Sequence, residues 1–292
     1  ERIRQALENH SFVIVAGYQG VCPDTKEITT LGRGGSDLTA VALTISLGAK
    51  ECQIYTDVDG IMTADPRVVS SARTVSNVSW SSMSRLACAG AQVLHYRAAY
   101  LAQKYQVPLK VLSSIHSPPT TGTLIQDCPL MEKAHVVSIA HKLDQAYLVY
   151  HFKGTEIRPL LNVVTTWLWE KDELSQVLKV STNVKQKTFQ VELIVSSHLL
   201  TDLHNMFSST SDHSFQYVGH QVLQQEGALV TLVGTGFKHS PEFSSDLLSG
   251  CPSEPMFIEI EEGTVRLLWD KSSFQTNVDY LHREFILNKK GD

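Results

Sequence analysis

The stretch Thr30-Leu31-Gly32-Arg33-Gly34-Gly35-Ser36-Asp37 constrains this chain more than any other. It comes after an apolar, strand-like run, Phe12-Val13-Ile14-Val15, and opens a helix-like run from Leu38 to Leu47 that Gly48 ends. A glycine-rich turn feeding a helix start aims several backbone N–H groups one way, and the helix dipole favours negative charge there. Gly34 and Gly35 permit close approach of the backbone to a ligand, and Arg33 adds a planar fork suited to a carboxylate or phosphate. Asp37 stands where a helix N-cap is expected. Capping is its plain reading and a functional carboxylate the sharper one.

A second segment adds to the first. Glu51 to Tyr55 reads as a short strand, with Thr56-Asp57-Val58-Asp59-Gly60 at its carboxyl end and Ile61-Met62-Thr63-Ala64 leading to Asp65-Pro66-Arg67. Two polar, glycine-bearing segments after successive strands belong on one edge of a parallel sheet, where open α/β folds bind ligands. The first part alternates: strand 12–16, helix 38–47, strand 51–55, helices near 81–89 and 97–105, strand 107–112. Ala98, Leu101, Ala102 and Tyr105 fall on one helical face, and Pro108 suits a strand's beginning. Breaks follow at Ser117–Gly122 and at Asp127-Cys128-Pro129, the expected domain boundary.

Beyond it, one order of elements occurs twice. The first set is strand 146–152, helix 157–169, strands 176–181 and 188–195, helix 197–207, strand 216–223. The second is strand 228–233, helix 243–249, strands 256–260 and 264–269, helix 273–287. Phe189, Val191, Leu193 and Val195 alternate as a half-buried strand should, and Glu262-Gly263 makes a hairpin turn. Val278, Leu281 and Phe285 line one face of the last helix.

Composition argues for a soluble enzyme of two or three domains. The chain has 292 residues and a net charge of -5, with no basic run, so nucleic acid is not an expected partner. The five cysteines are scattered and never spaced as C-x-x-C, which fits reduced thiols in a cytoplasmic protein. No apolar run is long enough to span a bilayer, and the 12 histidines show no H-E-x-x-H spacing, so no protein-built metal site is expected.

The glycine turn and the Thr56–Arg67 segment, in this order, resemble the aspartate kinase branch of the amino acid kinase family. Val15-Ala16-Gly17-Tyr18-Gln19-Gly20, Gly90-Ala91-Gln92-Val93-Leu94-His95, Ser113-Ser114 and Gly122-Thr123-Leu124 extend the likeness over about the first 125 residues. The two later repeats resemble the paired ACT domains of that family, through Ala140–Ala146 and Leu232–Gly236. The resemblance implies an α/β fold: the C-terminal part of a mostly parallel-sheet kinase lobe (1–129), then two ferredoxin-like βαββαβ units (130–224 and 225–292, interleaved in the family).

It further implies transfer of the γ-phosphoryl of ATP, with Mg²⁺, to the side-chain carboxylate of L-aspartate, the first step towards lysine, threonine and methionine. Arg33 would grip the α-carboxylate beside Gly34, Gly35 and Ser36, and Asp37 would orient charges around the moving phosphoryl. Thr56, Asp57, Met62, Arg67, Gln92 and Val93 would meet the nucleotide. A homo-oligomer joined by ACT units and an amino-acid effector, lysine or threonine, are the implied partners. Three departures from the family pattern follow, two bearing on turnover and one on effector binding. The family's opening Lys-Phe-Gly-Gly strand is not in this sequence, which begins at Glu1. Gln92 stands where lysine is common. The effector loops read Gly154-Thr155-Glu156-Ile157-Arg158-Pro159-Leu160 and Pro241-Glu242-Phe243, without the usual glycine. The expectation for the isolated chain is therefore no turnover, and the alternative to an aspartate kinase is a non-catalytic regulatory or dimerisation partner.

Overall fold

Residues 2–115, 122–127, 134–171, 178–209 and 214–288 are described in a computed structural model of the chain. Helix α1 (Arg2–Asn9) leads through an extended segment to a hairpin of β1 (Gln19–Val21) and β2 (Ile28–Thr30). The strand expected at 12–16 does not form: this segment pairs with no strand among the described residues, leaving Phe12 76 % and Ile14 89 % exposed. Apolar, β-branched composition supplies propensity only, and a strand also needs an edge that accepts its N–H and C=O groups.

Helix α2 (Gly35–Leu47) starts earlier than its apolar run, because the glycine turn already has helical reach. Gly48 ends it at φ 68°, donating to Ile45 O while Ala49 N donates to Thr44 O. There follow β3 (Cys52–Thr56), β4 (Asn77–Ser79), α3 (Trp80–Ala89), α4 (Tyr96–Tyr105), β5 (Leu109–Ser113) and β6 (Thr123–Gln126). The strands lie in the order β3-β5-β6-β4. β3 with β5 and β4 with β6 are parallel, and β5 with β6 is antiparallel. Val41, Met83, Leu86, Ala98, Ala102, Leu109 and Val111 fill the space between this sheet and its helices. The buried face of α4 is Ala98, Ala99 and Ala102; Tyr105, expected on it, faces solvent. Small residues let α3 and α4 lie close, and no room is left for a tyrosine ring.

The remainder builds on two long strands. β7 (His135–Gly154) is followed by α5 (Arg158–Glu170), β8 (Leu178–Asn183), β9 (Thr188–Ser196) and α6 (Leu200–Ser209). β10 (Phe215–Thr235) is followed by α7 (Pro241–Ser249), β11 (Phe257–Ile260), β12 (Thr264–Asp270) and α8 (Phe274–His282), which continues as a π-helical turn over Arg283–Leu287. One antiparallel sheet results, in the order β11-β12-β10-β7-β9-β8. The strands expected at 216–223 and 228–233 are thus one strand, carried past Gln224 and Gly227 by register shifts against β7. The two repeats meet inside β7 and β10, and the expected boundary at Cys128-Pro129 lies outside the described residues.

Each repeat has its own core. Tyr150, Phe152, Trp167, Leu193 and Phe207 anchor the first, where the alternating Phe189, Val191, Leu193 and Val195 all point inward. Val230, Phe243, Trp269, Val278 and Leu281 anchor the second, which also takes in Ala64 and Val69 from the segment after β3. Each such side chain contributes about 1.5–3 kcal/mol of burial.

Candidate functional site

The carboxyl ends of the parallel neighbours β3 and β5 lie side by side, with Ser114 N and Oγ both donating to Thr56 O, at 2.7 and 2.8 Å. From this edge the chain turns through Asp57 and Gly60 into the 61–75 segment. Gly60 has φ 134°, and a Cβ there would collide with Thr123, whose hydroxyl accepts from Ile61 N and donates to Val75 O. The turn is thereby fixed in one shape. A cavity of about 400 Å³ opens beside it, within the range of small-molecule sites.

Three stretches wall this cavity: Asp57 to Arg67, the Gly90–Val93 link between α3 and α4, and Ser138–His141 of β7. Gly90 closes α3 at φ 108° and packs so tightly on β7 that a Cβ would meet His141 O. Asp57, Met62, Arg67, Gln92 and Val93, expected from separate parts of the sequence, therefore share one cavity. Thr56 is set just outside, its hydroxyl donating to Asp57 Oδ1 at 3.1 Å.

Asp65 and Arg67 form the charged feature of the wall. Asp65 Oδ1 accepts from Arg67 N at 2.9 Å, and both carboxylate oxygens accept from Nε and Nη2 of the guanidinium, the shortest contact being 2.7 Å. These bonds from Arg67 hold the Asp65 carboxyl below its ordinary range. The Arg67 side chain is itself 80 % exposed, so the pair presents a guanidinium at the cavity rim. His141 faces the cavity from β7 with its ring tilted on Phe274 at 4.9 Å. Burial lowers its pKa, opposed by the Asp65 charge, so the imidazole is neutral at pH 7.

The glycine turn makes a second centre. Gly34 precedes α2 at φ 68°, and a Cβ there would overlap the His95 ring. No side chain caps α2. Asp37 is not the N-cap: it lies inside the first turn, and its Oδ2 accepts from His95 N at 3.3 Å. The cap position belongs to Gly34, because only glycine fits against His95 with that backbone. Arg97 donates to Leu31 O at 2.6 Å and pins the turn from the other side. Arg33 and Ser36 are exposed, and Gly35 is buried against Tyr18 and Leu31. Asp37 thus ties the turn to the start of α4, and the same link carries Gln92 and Val93 into the cavity.

Asp65, His95, Arg97, Ser138 and His141 were not read as site residues from the sequence, although Asp65, His95 and His141 lie inside the motifs quoted above. The Asp65-Pro66-Arg67 run did carry a signal, since Asp before Pro starts turns. His141 stood inside the Ala140–Ala146 match of the later repeats, which gave it no role at a site, because only the fold brings β7 to the cavity. The described residues contain no cluster of three or more His, Cys, Asp or Glu able to hold a metal, and no helix long and apolar enough to cross a membrane.

The model of the amino acid kinase family matches residues 1–113. An aspartokinase of Geobacillus stearothermophilus is 34 % identical over 298 residues, covering 98 % of this chain and 69 % of that protein. One from Mycolicibacterium smegmatis is 49 % identical over 149 residues, covering 50 % of this chain and 35 % of its own length. Among solved structures, E. coli aspartokinase III with lysine and aspartate superposes with a TM-score of 0.63 at 25 % identity, over 92 % of this chain and 59 % of that one. The same enzyme with aspartate and ADP gives a TM-score of 0.66 at 23 % identity, over 93 % and 60 %. The chain spans about two thirds or less of the length of these relatives.

Proposed function

The chain belongs to the aspartokinase family, and from that premise we propose that it forms the nucleotide-facing part of an ATP-dependent L-aspartate kinase. The observation that carries this is the convergence of Asp57, Met62, Arg67, Gln92 and Val93 on one cavity at the carboxyl edge of the sheet. The adenosine part of ATP would lie against Met62 and Val93, both able to pack on a planar ring. The phosphates would point to Arg67 at the rim and to the amide of Gln92. The side-chain carboxylate of aspartate attacks the γ-phosphorus, the bond to the bridging oxygen breaks, and ADP and 4-phospho-L-aspartate leave. Arg33, exposed beside the open start of α2, is suited to hold the substrate's α-carboxylate as a fork. Asp37 acts by positioning, through the amide of His95. Mg²⁺ fits here as an ion held mainly by phosphate oxygens, with Asp57 as the protein carboxylate, and it would supply charge neutralisation.

Self-association and amino-acid control belong to the same reading. Along residues 215–226, β10 pairs with β7 on one side and with no described strand on the other. Phe215 to Gln225 carries no formal charge, and Val218, Val222 and Leu223 are exposed. An unprotected edge of this kind pairs with a copy of itself about a twofold axis. An effector, lysine as in E. coli aspartokinase III or threonine, would act through this sheet, and a cytoplasmic location suits ATP and aspartate. Gln92 and the Asp65-bound Arg67 leave the cavity short of unpaired cation, which favours the second reading, a regulatory partner without turnover. Calorimetric titration of the chain with Mg-ADP, beside an aspartate-dependent ADP-release assay, separates them. Binding with turnover supports the kinase, binding without turnover supports the regulatory partner, and absence of binding removes the cavity from both.

A further inference from the structure

The 61–75 segment, which carries Met62, Asp65 and Arg67, is tied at its ends by Thr123 and along its length by β7 and the last helix. Ile139 N donates to Thr63 O at 2.9 Å and Ser138 Oγ to Met62 O at 2.7 Å, so β7 grips its first residues. The last helix grips the rest. Gln275 Nε2 donates to Val68 O at 2.8 Å, and Arg73 Nη2 to Ile286 O at 3.3 Å within the π-helical turn. Between these lies His282, fully buried, with Nε2 2.9 Å from Thr63 Oγ1 and Nδ1 3.3 Å from Ser71 Oγ.

Thr63 Oγ1 also accepts from Arg73 N at 3.0 Å, so the hydroxyl that meets His282 is tied to the loop backbone as well. In a neutral imidazole one nitrogen donates and the other accepts, and each nitrogen of His282 has a hydroxyl within reach. Both ends of the segment's loop are thus bridged by one imidazole. Ala64 and Val69, from the same loop, are buried in the core that holds Val278 and Leu281 of α8.

We propose that His282 is a positioning residue for the nucleotide cavity: it sets the 61–75 loop through Thr63 and Ser71 without lining the cavity itself. The inference rests on reading the cavity as a nucleotide site, and its test is built to fail separately. The full chain and its His282→Met, His282→Gln and Thr63→Val variants are titrated with Mg-ADP, and amide hydrogen exchange is followed in residues 61–75. Leu203→Ala, in the core of the first repeat, serves as a control for plain loss of stability.

His282→Met and Thr63→Val should weaken Mg-ADP binding by between about ten- and a hundredfold, the scale of a displaced site wall. Both should also speed exchange at the Thr63 and Val69 amides. Gln keeps one polar atom within reach of Thr63 and should restore most of the affinity. Leu203→Ala should lower the unfolding midpoint and leave affinity unchanged. Wild-type affinity in His282→Met, or unchanged exchange over 61–75, overturns the positioning role. If the parent chain binds no Mg-ADP, the cavity reading falls, and the exchange data alone then decide whether His282 holds the loop.

Discussion

The two repeats of the tail share a sheet yet relate differently to the rest of the chain. The first, with α5, α6, β8 and β9, builds its core from residues after 145 alone. The second takes Ala64 and Val69 into its core, binds the cavity loop through Gln275 and His282, and sets Arg85 of α3 against Gly263 of the β11–β12 turn. One repeat is an appendage with an open strand edge, and the other is a wall of the candidate site. A shared order of elements therefore says little about the roles of the two repeats. What decides is which of them supplies apolar cover for a loop that has no sheet of its own.

Equal damage to the two cores should separate the two repeats most sharply. Trp269→Ala removes a buried indole and orphans Ser253 O, to which its Nε1 donates at 3.0 Å. Phe207→Ala empties a similar volume in the first repeat. Each should cost about 3–5 kcal/mol. Only Trp269→Ala should also abolish Mg-ADP binding under conditions where the chain remains folded. Loss of binding in both, measured by calorimetry beside circular dichroism, would make the two repeats equivalent.

The open edge comes next. Val222→Lys puts a charge on the uncharged, half-exposed stretch of β10 and should turn a dimer into a monomer on a sizing column. Mg-ADP affinity should not change, because this edge belongs to the repeat that does not wall the cavity. A dimer that survives Val222→Lys places the contact elsewhere.

A smaller effect is expected from pH. Both repeats carry a histidine whose folded pKa lies below 6.5. Burial is the main cause for His282, with Arg73 adding to it and Asp279 opposing. Burial leads again for His204, followed by His220, and its Nδ1 lies 2.6 Å from the Tyr150 hydroxyl. In both cases the unfolded chain takes up a proton first as pH falls. Their contribution is complete above pH 6.5 and declines on acidification towards the lowered folded value. Thermal midpoints should fall between pH 7 and about pH 5, and His204→Gln or His282→Gln should each flatten that fall. Only His282→Gln should flatten the matching loss of Mg-ADP affinity, since Thr63 and Ser71 face His282 alone. An equal effect from His204→Gln would show that the first repeat also reaches the cavity.

Much of this was legible because local chemistry and tertiary context agree. The Gly48 stop, the alternating Phe189–Val195 strand and the hairpin at Glu262-Gly263 each follow from period or turn residues, and each stands where expected. Phe12–Ala16 misled because propensity does not supply a pairing partner. Asp37 misled because a glycine, held open by contact with His95, took the cap position. The merged β10 was hidden by Gln224 to Gly227, which looks like a turn and serves as a bulge. The cavity residues before 94 were visible as motifs, whereas His141, quoted only within the Ala140–Ala146 match, and His282, which holds the cavity's loop, gained their places only through the fold.

The last and smallest effect on stability concerns Arg67. Its guanidinium is mostly exposed and pairs with Asp65 only two residues away. Exposed pairs gain little from Coulomb attraction in water and lose side-chain freedom in forming. Arg67→Ala should therefore leave the unfolding midpoint within experimental error, in contrast to the core substitutions. Its effect on ligand should be of the other kind. The guanidinium stands at the cavity rim, and removing it both deletes the hydrogen-bond donor proposed to face the phosphates and leaves Asp65 as an unneutralised carboxylate. Affinity for Mg-ADP should fall, and the fall should shrink as salt is raised, because rim charges are screened. Arg67→Lys should recover the charge without the fork, and so only part of the affinity. A large drop in stability with unchanged affinity would instead make Arg67 a strut of the 61–75 loop, and the second repeat would then share that task with a residue of the loop itself.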